Sequence, residues 1–207
     1  MSGMRPFRLV AAVLSAGVLL LALVKLAAFA VGEPVSNFTK DAVAVVEVPW
    51  YTGSVSLITC MVWAAAASLS LFVAWAAPAA RRRMLSLGAF TTLLAVDDAM
   101  LIHDQIGPGH GVPEKLFPIV YAICALLLLR EMLRGSTRAV TVTFLLGAAF
   151  LAVSTAFDVV FHDLSFVVED GAKLLGAMTW ATVPVLAYAA AQTRQSKPAR
   201  HAALARK

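Results

Sequence analysis

Asp97, Asp98, His103 and Asp104 close one apolar run of this chain. Asp158, His162 and Asp163 close another, and Glu169, Asp170 and Lys173 open a third. Carboxylate and imidazole together are donors for a divalent cation such as Zn²⁺, Mn²⁺ or Fe²⁺, and a carboxylate-rich pocket also suits Ca²⁺. The same side chains carry and release protons. Asp158-x-x-x-His162 is the most specific local piece, because i, i+4 spacing puts both donors on one helix face. The chain has no His-Glu-x-x-His motif and no Cys/His cluster.

These groups need elements to hold them, and composition says which kind. Sixty per cent of the 207 residues are hydrophobic and the mean hydropathy is +0.82, well above the roughly 45–50% apolar share of soluble chains. The apolar residues form long runs of Leu, Ala and Val rather than short alternating segments. They therefore predict an all-α polytopic bundle and not a membrane barrel. Six transmembrane helices are expected, at about 7–31, 55–77, 84–106, 116–133, 139–161 and 168–192, in a single integral membrane domain over 1–207 with a basic tail at 193–207.

Basic residues orient the spans. Arg5 and Arg8, Arg81 to Arg83, Arg130, Arg134 and Arg138, and the tail residues Arg194, Lys197, Arg200, Arg206 and Lys207 all fall on one side of six spans. The positive-inside rule makes that side, with both termini, cytoplasmic. The acids fall on the other side, Glu131 excepted. The formal net charge of +5 is thus a matter of topology and not a nucleic-acid footprint. The lipid bilayer is the expected partner, with a homo-oligomer or membrane partner left open. The Ala- and Arg-rich usage fits a bacterial inner-membrane protein. An alternative reading of the first run, with Ala28-Phe29-Ala30 at its end, is a cleaved signal peptide, but the run is longer than the usual ~7–15 residues and contains Lys25. Cys60 and Cys124 both lie inside apolar spans and are expected to pack as small apolar residues.

Asp97 and Asp98 come roughly 20 Å along the third span at 1.5 Å per residue, a little past the midplane. Asp104 and His103 lie near its outer end. On a continuous helix Asp97, Leu101 and Asp104 share a face, and His103 points elsewhere unless the helix unwinds before Gly107. Ser154, Asp158 and His162 form a ridge on the fifth span. Glu169 and Asp170 can each reach Lys173 on the sixth. The spacing thus predicts three polar stripes meeting inside the bundle.

The arrangement supports several functions. A divalent metal would be held by Asp98, Asp158 and His162, with Asp97, His103 and Asp104 as further donors, and Lys173, Glu169, Asp170, Asp163 and Ser154 as the supporting charge network. Such a metal could activate water in a lipid or amide hydrolase. The alternatives are an ion- or proton-coupled transporter, binding of a lipid or small polar ligand without chemistry, and a structural network in which Lys173 neutralises a deep carboxylate. The acid excess around one Lys makes cation binding the leading expectation.

Leu94-Ala95-Val96-Asp97-Asp98 with His103-Asp104, followed by Glu169-Asp170-Gly171-Ala172-Lys173-Leu174-Leu175-Gly176 and Trp180, resembles a pattern in uncharacterised bacterial integral membrane proteins that read "LDD", then "HD" or "HE", then "EDGxKxLG" and Trp. That resemblance covers about 94–180 and implies no activity. Ser154, Asp158 and His162 also resemble the Ser, Asp and His of the ceramidase and adiponectin-receptor zinc hydrolases. Those have seven spans and a late His-x-x-x-His, whereas the sixth span here has no His.

Overall fold

The computed structural model describes residues 6–35, 52–160 and 166–204, and every described regular element is helical. The chain divides into two compact units, Met1–Thr52 and Gly53–Lys207.

In the first unit, α1 runs Pro6–Val31. It begins on a proline, whose fixed φ suits a first helical turn. It ends at Gly32, which adopts φ +73°. There Gly32 N–H donates to Phe29 O at 3.3 Å and Glu33 N–H to Ala28 O at 3.0 Å. These two bonds make a Schellman cap, which uses carbonyls that the helix end would leave unpaired.

The second unit holds α2 (Ser54–Ala76), α3 (Arg81–Met100), α4 (Leu116–Gly135), α5 (Arg138–Val160) and α6 (Phe166–Leu204). The 3₁₀ turn Pro78–Ala80 folds α2 back against α3. α2 packs along both α3 and α6, and α5 packs along α6, whereas α4 touches α3 and α5 more lightly. Small residues permit the closest approaches. A Cβ at Gly147 of α5 would lie 3.3 Å from the carbonyl oxygen of Gly176 on α6, and one at Gly88 of α3 would lie 2.8 Å from Leu71 of α2. Such contacts substitute packing for the hydrophobic drive that helices lack among lipid tails.

The apolar core centres on Trp180. Its ring lies 4.6 Å from Phe144 and 6.2 Å from both Phe90 and Trp63, measured between centroids. One side chain thereby ties α6 to α5, α3 and α2. The indole N–H donates to Thr91 Oγ1 at 3.2 Å, and Thr91 in turn donates to Leu87 O at 2.7 Å. A buried indole needs such a partner. Towards the arginine end the core continues through Leu87, Met84, Met132 and Val140. There Arg82 bonds Glu131 at 2.9 and 3.1 Å, joining the start of α3 to the end of α4. The Arg83 guanidinium occupies the space a side chain at Gly135 would need.

Four helical segments, Ser54–Ala76, Leu116–Gly135, Arg138–Phe157 and Val168–Thr193, are long and apolar enough to cross a membrane. A fifth is formed if Pro78–Met100 and Ile102–Gly109, bent by 61°, count as one broken span. Exposed Leu, Ile and Val residues cover α4, including Leu116, Ile119, Ile123, Leu126 and Leu127. In water such a face would be an aggregation surface; against lipid it is the expected exterior. The expected first span, 7–31, corresponds to α1, in which Leu21–Val31 forms a shorter apolar helical segment. The third expected span differs in kind: instead of one continuous helix to residue 106, α3 stops at Met100.

Candidate functional site

The break in α3 creates the site. Leu101 takes φ +51° and ψ +42°, the left-handed region, and its N–H caps the helix on Asp97 O. Among the described residues it is the one non-glycine with positive φ. A π turn follows over Ile102–Ile106, then a single helical turn over Gly107–Gly109. Phe117 of α4 fills the space beside Gly107, so only a residue without a side chain fits there.

This path returns His103 to the end of α3. Its backbone N–H donates to Asp97 Oδ1 at 3.0 Å. Its ring Nδ1 lies 2.6 Å from Asp97 Oδ2, at ion-pair distance but without an aligned N–H···O bond. Nε2 lies 3.0 Å from Asp104 Oδ1. The side chains of Asp104, His103 and Asp97 are respectively 46%, 21% and 5% exposed. The imidazole therefore stands between a solvated carboxylate and a buried one. Both ring nitrogens can donate at once only in the imidazolium form. The Tyr121 phenol of α4 sits beside Asp97 and packs against Phe90 and Phe117.

Asp98 points to a different partner. Successive residues on a helix project about 100° apart, and Asp98 Oδ1 accepts from Lys173 Nζ of α6 at 3.1 Å. The two side chains are 9% and 24% exposed. Cys60 of α2 places its thiol 4.0 Å from Asp98 Oδ2, a long contact. Asp104 and Asp170 also act on the Lys173 ammonium. Each deep carboxylate thus has its own basic partner, His103 for Asp97 and Lys173 for Asp98, and three helices meet at Asp98.

The structure brings together Asp97, His103 and Asp104 as one group and Asp98 with Lys173 as a second. The expectation that Asp97, Leu101 and Asp104 share a continuous face gives way to the break, which also turns His103 inward. Ser154 is buried on α5. Asp158 belongs to the same helix, but its side chain, with His162 and Asp163, lies outside the described residues. Glu169 and Asp170 are half-buried in the first turns of α6. Among the described residues no three His, Cys, Asp or Glu side chains are arranged to hold a metal ion.

Sequence reasoning missed Tyr121 and treated Cys60 as packing. A tyrosine inside an apolar run is itself a signal, since its hydroxyl needs a polar neighbour. Nothing local distinguishes Cys60 from any buried thiol.

Residues 9–187 match the model of a domain family of unknown function, DUF8692. The chain belongs to that family. No curated protein and no solved structure matches it. The matched region of DUF8692 takes in Asp97, Asp98, His103, Asp104 and Lys173, so the whole charged group lies within the family's shared domain.

Proposed function

We propose that this member of DUF8692 is a multi-pass protein of the bacterial inner membrane, with six spans and both termini on the cytoplasmic, arginine-bearing side. Its working part is a one-sided proton-handling site. The observation that supports this most directly is the line Asp104–His103–Asp97, which runs from exposed to buried across a helix break. An imidazole contacting a carboxylate at each nitrogen can accept a proton on one and release it from the other. Broken helices and π turns recur where membrane proteins bind ions, because they free backbone and side chains from the regular ladder. Beyond Asp97 the core towards the arginine end is lined by Phe90, Leu87 and Met84, all buried and apolar. The site therefore takes up and returns protons on one face, in contrast to a through-path. Asp98 and Lys173 clamp the end of α3 to α6 beside it.

The test is a pH titration of ¹⁵N-histidine-labelled protein in lipid nanodiscs. A ring signal absent from His103→Gln should titrate, and Asp104→Asn should move its midpoint to lower pH, because removing a neighbouring negative charge disfavours the imidazolium. An imidazole that never changes protonation, or whose midpoint ignores Asp104, would rule the reading out.

Divalent-cation binding stands as a second reading, because the charges of Asp170 and Asp104 act on the Lys173 ammonium in addition to the bonded Asp98. It places Zn²⁺, Mn²⁺, Fe²⁺ or Ca²⁺ on Asp98, Asp158 and His162. Metal analysis of purified protein separates the two. Stoichiometric metal that is lost on replacing Asp158 and His162 together would favour the metal centre.

A further inference from the structure

The outer face of α4 ends in charge. Leu128 and Met132 are buried against the core, and the opposite face carries Ile119, Ile123, Leu126, Leu127 and Leu133, all exposed. At 100° per residue Arg130 and Arg134 fall inside that same arc of about 120°, and both are exposed. One face of the helix therefore runs from hydrocarbon to two guanidinium groups. Ile119 to Arg134 spans about 22 Å of helix, the depth of one leaflet with its head-group layer.

Among the described residues Arg82 is the one arginine with a carboxylate partner, Glu131. That bond draws the start of α3 beside the end of α4 and brings Arg81, Arg82 and Arg83 to the corner of Arg130 and Arg134. Arg138 opens α5 just beyond the turn. Six arginines thus stand there against one acid, Glu131. Arg81 to Arg83 occupy the first turn of α3, where the helix end is itself positive. The complement of this corner is an anion from outside the chain. The positive-inside rule counts charges and is indifferent to the helix face that bears them, whereas Arg130 and Arg134 share their face with the exposed Ile and Leu side chains. That continuity selects an anion with a hydrocarbon tail. We propose that this face of α4 binds an anionic phospholipid, with an acyl chain along Ile119, Ile123 and Leu127 and the phosphodiester on Arg130 and Arg134. Guanidinium groups bond phosphate oxygens in pairs. Arg82, anchored by Glu131 but largely exposed, stands beside them. The site is at the far end of α3 from His103 and does not depend on the proton-handling reading.

The test uses full-length protein in nanodiscs of equal parts phosphatidylglycerol and phosphatidylethanolamine, with the lipid retained after transfer to detergent identified by native mass spectrometry. Wild type should retain phosphatidylglycerol over phosphatidylethanolamine by about tenfold or more. Arg130→Gln with Arg134→Gln should bring that ratio to within about twofold. Lys197→Gln with Arg200→Gln, which removes the same charge from the basic tail, should leave it unchanged. If the first double variant does not reach the membrane, Arg134→Gln alone should lower the ratio by about threefold. Equal retention of the two lipids by wild type, or an equal loss of preference in the two double variants, would overturn the proposal. So would displacement of the retained lipid by millimolar inorganic phosphate, which would mark a site for a free anion.

Discussion

At the scale of single residues the site is a set of charges that can be separated by substitution. Asp98 and Lys173 are largely buried and bonded to each other. Replacing Lys173 by Met leaves a carboxylate in an apolar setting, which typically costs about 3–5 kcal/mol. Asp98→Asn with Lys173→Met should be milder than Lys173→Met alone, since no uncompensated charge remains. Thermal unfolding in detergent measures both, and additive losses would mean that the pair does not act as a unit. Asp104 is much more exposed, so Asp104→Asn should change stability by less than ~1 kcal/mol while altering the titration of His103. Residue types alone pointed to these groups, but not to their pairing. Adjacent aspartates look like one dicarboxylate in sequence, and only the fold sends one to His103 and the other to α6.

At the scale of elements, most of the helices were legible because apolar run length and turn chemistry agree. The expected spans 55–77, 116–133 and 139–161 lie within one or two residues of α2, α4 and α5. α6 continues as helix to Leu204, through the basic tail expected from 193, and the run Ala189–Ala191 that leads into it is strongly helix-forming. The break after Met100 carries no sequence signal, since Leu is not a residue that favours positive φ. That conformation costs a non-glycine residue roughly 1–2 kcal/mol. Leu101→Gly should therefore stabilise the protein by up to about 1 kcal/mol, because the leucine is itself substantially exposed. A clear destabilisation would show that its side chain packs more than its exposure implies. At the α5–α6 crossing the opposite holds. Gly147→Val would drive a branched side chain into the Gly176 carbonyl and Trp180, and should cost about 1–3 kcal/mol in the same melts.

At the scale of the whole molecule, the proposed topology predicts which ends face which compartment. In a background with Cys60 and Cys124 replaced by Ala, a cysteine at Gly109 should react with an impermeant reagent in intact cells. One at Arg138 should react only after permeabilisation. Labelling of both from the same side would refute the arrangement. The His103 contact to Asp97 has a further meaning for how such a protein reaches its membrane. The two residues are six apart, so Asp97 acquires its basic partner from the segment that follows it directly out of the ribosome. Asp98 depends on a lysine 75 residues later. In the proposed topology α3 therefore enters the bilayer with one aspartate already escorted and the other waiting. A central Asp typically costs about 2.5–3.5 kcal/mol to insert. The nascent hairpin of α2 and α3 is consequently a provisional resident of the membrane, and it becomes a committed one when α6 delivers Lys173.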